Sequence, residues 1–89
     1  MITVILTSEV KDYADWKVVY DGHESFRTAA GFVQTGLYRA LDNPNSITLI
    51  FDTPGMDAIN SFMSSPELRE RMEQSGVIGA PDVKLFNKM

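Results

Sequence analysis

The chain has 89 residues, 44% hydrophobic and 22% charged, which is typical of one small globular domain spanning residues 1–89. It has no cysteine and a single histidine, which excludes a disulfide framework, a thiol nucleophile and a zinc site built on cysteines or several histidines of one chain. The net charge of −4 argues against a protein that binds the phosphate backbone of nucleic acids.

The N-terminal half of the chain predicts a strand, a helix and a hairpin. Asp12 is a candidate helix N-cap, and Gly31 is a natural residue to follow the helix because glycine enters the left-handed region at little cost. The turn-forming run 42–45 predicts a tight connection between the next two strands. The predicted elements are a strand over Ile2–Thr7, a helix from Asp12 to Ala30, and strands over Phe32–Leu41 and Ser46–Asp52.

The C-terminal half predicts a broken helix and a last strand. Thr53 and Pro54 look like an N-cap followed by proline at the first helical position, and Ser65 and Pro66 repeat that signal. The second helix is therefore expected to break near Pro66, and a final strand is expected over Asp82–Lys88. The resulting β-α-β-β-α-β order predicts an α+β, ferredoxin-like fold with a four-stranded antiparallel sheet and helices on one face.

The alternation of side chains along the strands predicts two different sheet faces. One face is plainly apolar core and includes Val33, whereas Gln34 is assigned to the opposite face. That second face still carries four apolar side chains, at Ile5, Tyr38, Ile50 and Phe86. We expect a second copy of the chain to cover it and form a homodimer; a monomer with a sticky face is the alternative.

The first ten residues lack the basic start and small-residue cleavage pattern of a signal peptide. No segment has the roughly 20 apolar residues that a membrane helix needs. We therefore expect a cytoplasmic protein with no membrane partner.

The first helix carries the candidate site. At 100° per residue, His23 and Arg27 lie within 20° of Trp16, on the face turned to the sheet, and Tyr20 and Phe26 flank them. In one interpretation His23 is a core histidine bonded to a backbone carbonyl, and Arg27 passes the helix end to reach solvent. In the other, these residues line a cavity in which a planar ligand stacks on the aromatic rings.

Three weaker signals accompany this helix. Gly22 inside it predicts either close packing or a kink beside His23. Arg39 either ends the apolar face near the hairpin or reaches the cavity. The charged run 67–73, including a Glu67–Arg71 pair, is expected to be a solvated helix face. No metal site is expected, because one histidine with scattered carboxylates is poor ligation.

Several segments together resemble one known superfamily: Asp12–Trp16, His23–Gly31, Tyr38–Arg39 before the 42–45 turn, and Ser65–Arg69 before Ser75–Val77. The chain resembles the small dimeric α+β-barrel proteins related to antibiotic-biosynthesis monooxygenases, many of them provisionally labelled cyclases, over nearly its whole length. The resemblance implies a homodimer whose sheets face each other, with a ligand cleft between the helices and the sheet of each monomer. It implies Trp16, His23, Arg27 and Arg39 as cleft residues. The asparagine that accompanies tryptophan and histidine in haem-degrading members is missing, so no cofactor is expected.

Three functions follow from these patterns. The first is a cofactor-independent enzyme, of the monooxygenase, cyclase or isomerase kind, acting on a hydrophobic enolisable or aromatic compound. His23 would then be the general base and Arg27, with or without Arg39, would stabilise the oxyanion, while Trp16, Tyr20 and Phe26 shape the pocket. The second is a non-catalytic ligand-binding or stress-related dimer. The third, an RNA-binding domain, shares the element order but lacks a basic surface and offers only Tyr38 and Phe86 for stacking.

Overall fold

The computed structural model describes residues 1–89. Four strands and four helices follow one another in a β-α-β-β-α-β order in which each helical segment is divided in two. Their bounds are β1 Ile2–Val10, α1 Tyr13–Gly22, α2 Glu24–Ala29, β2 Val33–Arg39, β3 Ser46–Thr53, α3 Met56–Met63, α4 Pro66–Gln74 and β4 Val77–Asn87.

The sheet confirms the predicted ferredoxin-like α+β fold. Its strands lie in the order β2-β3-β1-β4, and every neighbouring pair is antiparallel. β1 and β3 pair without interruption, with Val4 opposite Phe51 and Leu6 opposite Leu49. Because side chains alternate between faces, these pairs place one apolar row under the helices.

The core lies between that row and the inner faces of α1 and α3. Its fully buried members come from both layers: Val4, Val10, Trp16, Phe32, Ile47, Leu49, Phe51 and Ile59. None of the four helices is both long enough and apolar enough to cross a membrane.

A register shift in β2 reverses the predicted faces of two residues. Val33 pairs with Asp52 and Gln34 with Phe51, but the pairing then jumps to Gly36 opposite Ile50. Val33 therefore lies on the outer face, where it is 61% exposed, and Gln34 lies on the helix face. The predicted assignment of both residues was wrong because a bulge adds one residue to the strand.

The first helical segment is broken at His23 rather than continuous to Ala30. Asp12 caps α1 as predicted, since its carboxylate accepts a hydrogen bond from the Asp15 amide at 3.1 Å. His23 has φ −107° and ψ 17°, outside the helical region, and it separates α1 from α2. A Cβ at Gly22 would meet nothing within 4 Å, so the glycine accompanies the kink and does not serve close packing.

The start of the second helical segment also differs from expectation. Thr53 is the last residue of β3, 1% exposed, and its hydroxyl donates to the carbonyl of Ile2 at 2.9 Å. The sheet uses this hydroxyl, so α3 begins only at Met56, after Gly55. The predicted break holds: Ser65 precedes Pro66 at the first turn of α4. β4 starts at Val77, five residues earlier than predicted.

Candidate functional site

A cavity of about 100 Å³ lies between the helices and the sheet. Thirteen of its 18 lining residues are hydrophobic. β1 and β3 form its floor, and side chains from α1, α2, α3 and α4 surround it. The cavity is smaller than the roughly 300–1,000 Å³ of pockets that enclose a drug-sized ligand.

One wall of the cavity is an aromatic stack on α1. Trp16 is 3% exposed, and its ring lies on that of Tyr20 with centroids 4.6 Å apart and planes 23° from parallel. Tyr13 continues the stack at 5.8 Å from Trp16. The three residues meet because positions three and four apart share one helix face. A planar apolar molecule in the cavity would find Trp16 and Tyr20 already held in place.

The opposite wall is a second aromatic cluster. Phe26 of α2 packs against Phe62 of α3 at 5.1 Å, and Phe62 packs against Phe32 at 4.4 Å. Phe26 and Phe62 line the cavity together with Met63. The predicted grouping of Trp16, Tyr20 and Phe26 around one space is what the structure has.

His23 also lines the cavity, at the kink between α1 and α2. No side-chain hydrogen bond joins its imidazole to the rest of the chain, so it is not the carbonyl-bonded core histidine of the alternative interpretation. Burial, and then the neighbouring guanidinium groups of Arg71 and Arg27, lower the pKa of His23 from its ordinary value of 6.5. The imidazole is therefore neutral at neutral pH and free to accept a proton.

Arg27 closes the side of the cavity next to Tyr20. Its guanidinium lies 3.5 Å from the centroid of the Tyr20 ring, and Nη1 donates to the Tyr20 carbonyl at 2.8 Å. The same carbonyl accepts the backbone N–H of His23 at 3.2 Å, so Arg27 adds a second hydrogen bond at the C-terminal end of α1. No carboxylate lies within ion-pair distance of Arg27. Burial lowers the pKa of Arg27, but an arginine side chain stays protonated in proteins, so Arg27 keeps its positive charge.

Tyr20 and Arg27 line both the cavity and a neighbouring polar groove of about 450 Å³. The Tyr20 hydroxyl donates to Gln34 Oε1 at 2.5 Å, which fixes the ring against the edge strand. Burial, only partly opposed by the charge of Arg27, raises the pKa of Tyr20 to about 12. Tyr20 is therefore a neutral hydrogen-bonding wall and not a proton acceptor at physiological pH.

Arg71 is a cavity residue that the sequence analysis placed on a solvated helix face. Its guanidinium is paired with Glu67 as predicted, but it also lies 4.6 Å from the centroid of the Phe26 ring. The signal was present: Arg71 lies three residues after the inward Leu68, about 60° away around the helix. Ser8 of β1, 5% exposed, is a second unpredicted polar group on the cavity wall.

Arg39 does not line the cavity. It lies opposite Ile47, near the hairpin, and its guanidinium covers the ring of Tyr13 at 3.9 Å. Its Nε donates to the carbonyl of Pro44 at 2.9 Å. The structure therefore brings His23, Arg27, Trp16, Tyr20 and Phe26 together and leaves Arg39 at the far end of the aromatic stack.

No family model matches the chain, and no curated protein matches it in sequence. Solved structures match it over almost its full length. A protein from Bordetella bronchiseptica, provisionally named an antibiotic biosynthesis monooxygenase, shares 21% identity with a TM-score of 0.81, covering 99% of this chain and 96% of that one. A provisionally named antibiotic biosynthesis monooxygenase from Caulobacter crescentus shares 17% identity with a TM-score of 0.78, covering 99% and 89%.

A third structure has a stated activity. SnoaB, a cofactor-independent oxygenase from Streptomyces nogalater, shares 21% identity with a TM-score of 0.76, covering 99% of this chain and 92% of that one. At these identities the matches concern the fold, and they bear out the resemblance drawn from the sequence. The chain has the ferredoxin-like fold of the antibiotic biosynthesis monooxygenase-like proteins.

Proposed function

We propose that the chain is a cofactor-independent enzyme that removes a proton from a small, planar, enolisable compound and passes the resulting carbanion to dioxygen. The observation that carries the proposal is a neutral histidine without a hydrogen-bond partner on the wall of a mostly apolar cavity, next to the guanidinium of Arg27. The fold shared with a cofactor-independent oxygenase supports the same reaction class. The lining residues suit a substrate with an aromatic ring and an acidic C–H bond next to a carbonyl group.

His23 is the proposed general base. Its lowered pKa keeps the imidazole unprotonated at neutral pH, which a base requires. The proton moves from the substrate carbon to an imidazole nitrogen, and the electron pair of the broken C–H bond delocalises onto the carbonyl oxygen. The imidazolium and the enolate then form an ion pair, which offsets the unfavourable proximity of Arg27 and Arg71 to the imidazolium.

Arg27 is proposed to stabilise the enolate, since no carboxylate of the chain lies within ion-pair distance of it and its position is fixed by the Tyr20 ring and carbonyl. The enolate is oxidised and dioxygen is reduced as a C–O bond forms, giving a peroxide anion that takes up the proton from the His23 imidazolium and becomes a hydroperoxide. Loss of water from this hydroperoxide leaves a second carbonyl group. Overall, the reaction consumes one methylene group and one molecule of dioxygen and forms one carbonyl group and one molecule of water. Trp16, Tyr20 and Phe26 exclude solvent from the carbanion.

We further propose that the protein is a cytoplasmic homodimer joined through the outer sheet face. On that face Val33, Tyr38, Ile78 and Phe86 are each 47–61% exposed, an unusually apolar surface for one side of a small sheet. Phe86→Glu is expected to produce monomers in sedimentation equilibrium. Leu41→Glu alters an apolar residue that is fully exposed near the hairpin turn, so it should leave the dimer intact. Monomeric wild-type protein would contradict this part of the proposal.

A non-catalytic ligand-binding dimer is the second candidate. The observation that favours it is the small volume of the cavity, about 100 Å³. A binding protein would gain thermal stability from an aromatic ligand and leave that ligand chemically unchanged.

Oxygen uptake separates the two candidates. The wild-type protein is expected to consume dioxygen with 2-indanone, whose benzylic C–H next to the carbonyl is acidic. His23→Ala should lower the initial rate by about 100-fold or more, with an unchanged far-ultraviolet circular dichroism spectrum. Glu24→Ala, at the adjacent exposed position, is the matched control and should keep the wild-type rate. Stabilisation of the protein by 2-indanone without oxygen uptake would favour the binding protein, and equal rates for wild type and His23→Ala would remove His23 from the mechanism.

A further inference from the structure

Two buried polar atoms on the cavity wall have no hydrogen-bond partner in the chain, Ser8 Oγ and Arg71 Nε. Ser8 is 5% exposed, so its hydroxyl is cut off from bulk solvent. An unsatisfied buried polar group costs about 1–3 kcal/mol, and natural structures retain few of them. The proposed base and its arginine make no use of either atom, so both need another explanation.

Both residues line the cavity, and no neighbouring group of the chain takes up either atom. Ser8 lies opposite the buried Ile47, at the shift in register between β1 and β4, and it is the only residue of that stretch without a β4 partner. The Arg71 guanidinium is held on one side by Glu67 and lies over the Phe26 ring. Its Nε–H is therefore a fixed donor, and the Ser8 hydroxyl can turn to donate as well.

The charges around the cavity favour an anion. Glu67 balances Arg71, His23 is neutral, and Arg27 has no carboxylate within ion-pair distance. Arg27 is therefore the guanidinium of this wall without a direct ion pair, although the charges of Asp21 and Glu24 act on it from the polar groove. With two guanidinium groups on the wall, a negatively charged ligand is favoured over a neutral one.

From these observations we propose that the cavity selects an aromatic ligand bearing one carboxylate, whose oxygens accept hydrogen bonds from Ser8 Oγ and Arg71 Nε. Two donors match the two oxygens of a carboxylate, and hydrogen bonds to a charged acceptor are the stronger kind. The inference rests on the proposed function in that it concerns the same cavity; it adds the substrate class and two specificity-determining residues.

Binding titrations test the inference without turnover. The probes are benzoate and 1-naphthoate, each paired with its carboxamide, which has nearly the same shape but no charge. Trp16 is the only tryptophan of the chain and lines the cavity, so its fluorescence reports binding directly. The wild-type protein should bind at least one carboxylate about tenfold or more tightly than its carboxamide.

Two variants remove one donor each. Ser8→Ala deletes the hydroxyl, and Arg71→Lys keeps a positive charge near Glu67 but loses the Nε–H. Each is expected to weaken carboxylate binding by about tenfold and to weaken carboxamide binding clearly less, because the amide oxygen carries no charge. Arg69→Lys, at an exposed position of the same helix, is the matched control and should change neither. Thermal unfolding of each variant checks that the fold is retained, and Ser8→Ala should unfold at or above the wild-type temperature because it removes an unsatisfied hydroxyl.

Equal affinity for acid and amide, absence of binding by both, or equal losses for both probes in the variants would each overturn the inference. The two proposals fail separately. Selective carboxylate binding without oxygen uptake, either from 2-indanone or from 2-indanone bearing a carboxylate on its aromatic ring, would refute the enzyme and keep the carboxylate site. His23-dependent oxygen uptake with 2-indanone, together with equal affinity for acid and amide, would support the enzyme and refute the carboxylate site.

Discussion

Replacing either of two glycines with alanine should change stability in opposite directions, because their surroundings differ. Gly22 ends α1 beside the kink, does not have a positive φ, and offers open space to a Cβ. Gly31 follows α2 with φ 84°, and a Cβ there would lie 2.7 Å from Pro54 Cγ. Gly22→Ala should stabilise the protein by about 0.4–1 kcal/mol, since alanine has fewer conformations to lose on folding. Gly31→Ala should cost about 1–2 kcal/mol for the left-handed conformation alone, and the contact with Pro54 adds to that cost.

Urea and thermal denaturation followed by circular dichroism measure both changes, at one protein concentration because dimerisation would couple stability to it. A change of 1 kcal/mol shifts the midpoint of a domain this small by roughly 4–8 °C, so the two variants should differ on the order of 10 °C. Oxygen uptake by Gly22→Ala should equal that of the wild type. Destabilisation by Gly22→Ala would show that the kink at His23 depends on glycine, and a neutral Gly31→Ala would contradict the left-handed turn.

Three further results are expected at the site. The rate of proton abstraction should fall as the pH drops through the pKa of His23, with a midpoint below the ordinary value of 6.5; a rate that still rises well above pH 7 would contradict a neutral base. Tyr20→Phe should remove a tyrosine ionisation near pH 12 from an ultraviolet absorbance titration, and persistence of that ionisation would assign it elsewhere. Arg39→Ala should keep benzoate affinity within about twofold while lowering stability by about 0.5–1 kcal/mol through loss of the stacking on Tyr13; a large loss of affinity would place Arg39 in the site.

The fold was predictable because strong local signals agreed with one another. The alternation along β1 and β3 marked the buried face, and the caps at Asp12 and Pro66 marked helix starts that the structure keeps. The helix start predicted at Thr53 was wrong because a threonine hydroxyl can cap a helix or bond within a sheet. Here the pairing of β1 with β3 brings the Ile2 carbonyl within hydrogen-bond distance of the Thr53 hydroxyl. Such a choice depends on contacts between distant residues, which local patterns do not contain.

The sequence predicted the site residues that lie on α1 and α2, but not those contributed by the strands and by α4. Trp16, Tyr20 and His23 share a face by helical spacing, so their meeting follows from the sequence. The bulge that turns Gln34 toward Tyr20 lies beside Gly36, but a single glycine within a strand does not determine whether a bulge forms there. The spacing of Glu67 and Arg71 indicated an exposed ion pair on α4. The contact of Arg71 with the cavity depends on the packing of α4 beside Phe26, which local sequence patterns do not contain.

Proton abstraction by His23 is the central step of the proposed reaction, and anaerobic hydrogen–deuterium exchange measures that step apart from the oxygen chemistry. 2-Indanone is incubated in D₂O without dioxygen, and loss of its benzylic C–H signal is followed by NMR with wild-type protein, His23→Ala and Glu24→Ala. We expect the wild type and Glu24→Ala to accelerate exchange over buffer, and His23→Ala to fall about 100-fold or more toward the buffer rate. Exchange at the buffer rate with all three proteins would contradict the proposed enzyme and leave a cavity that binds without reacting.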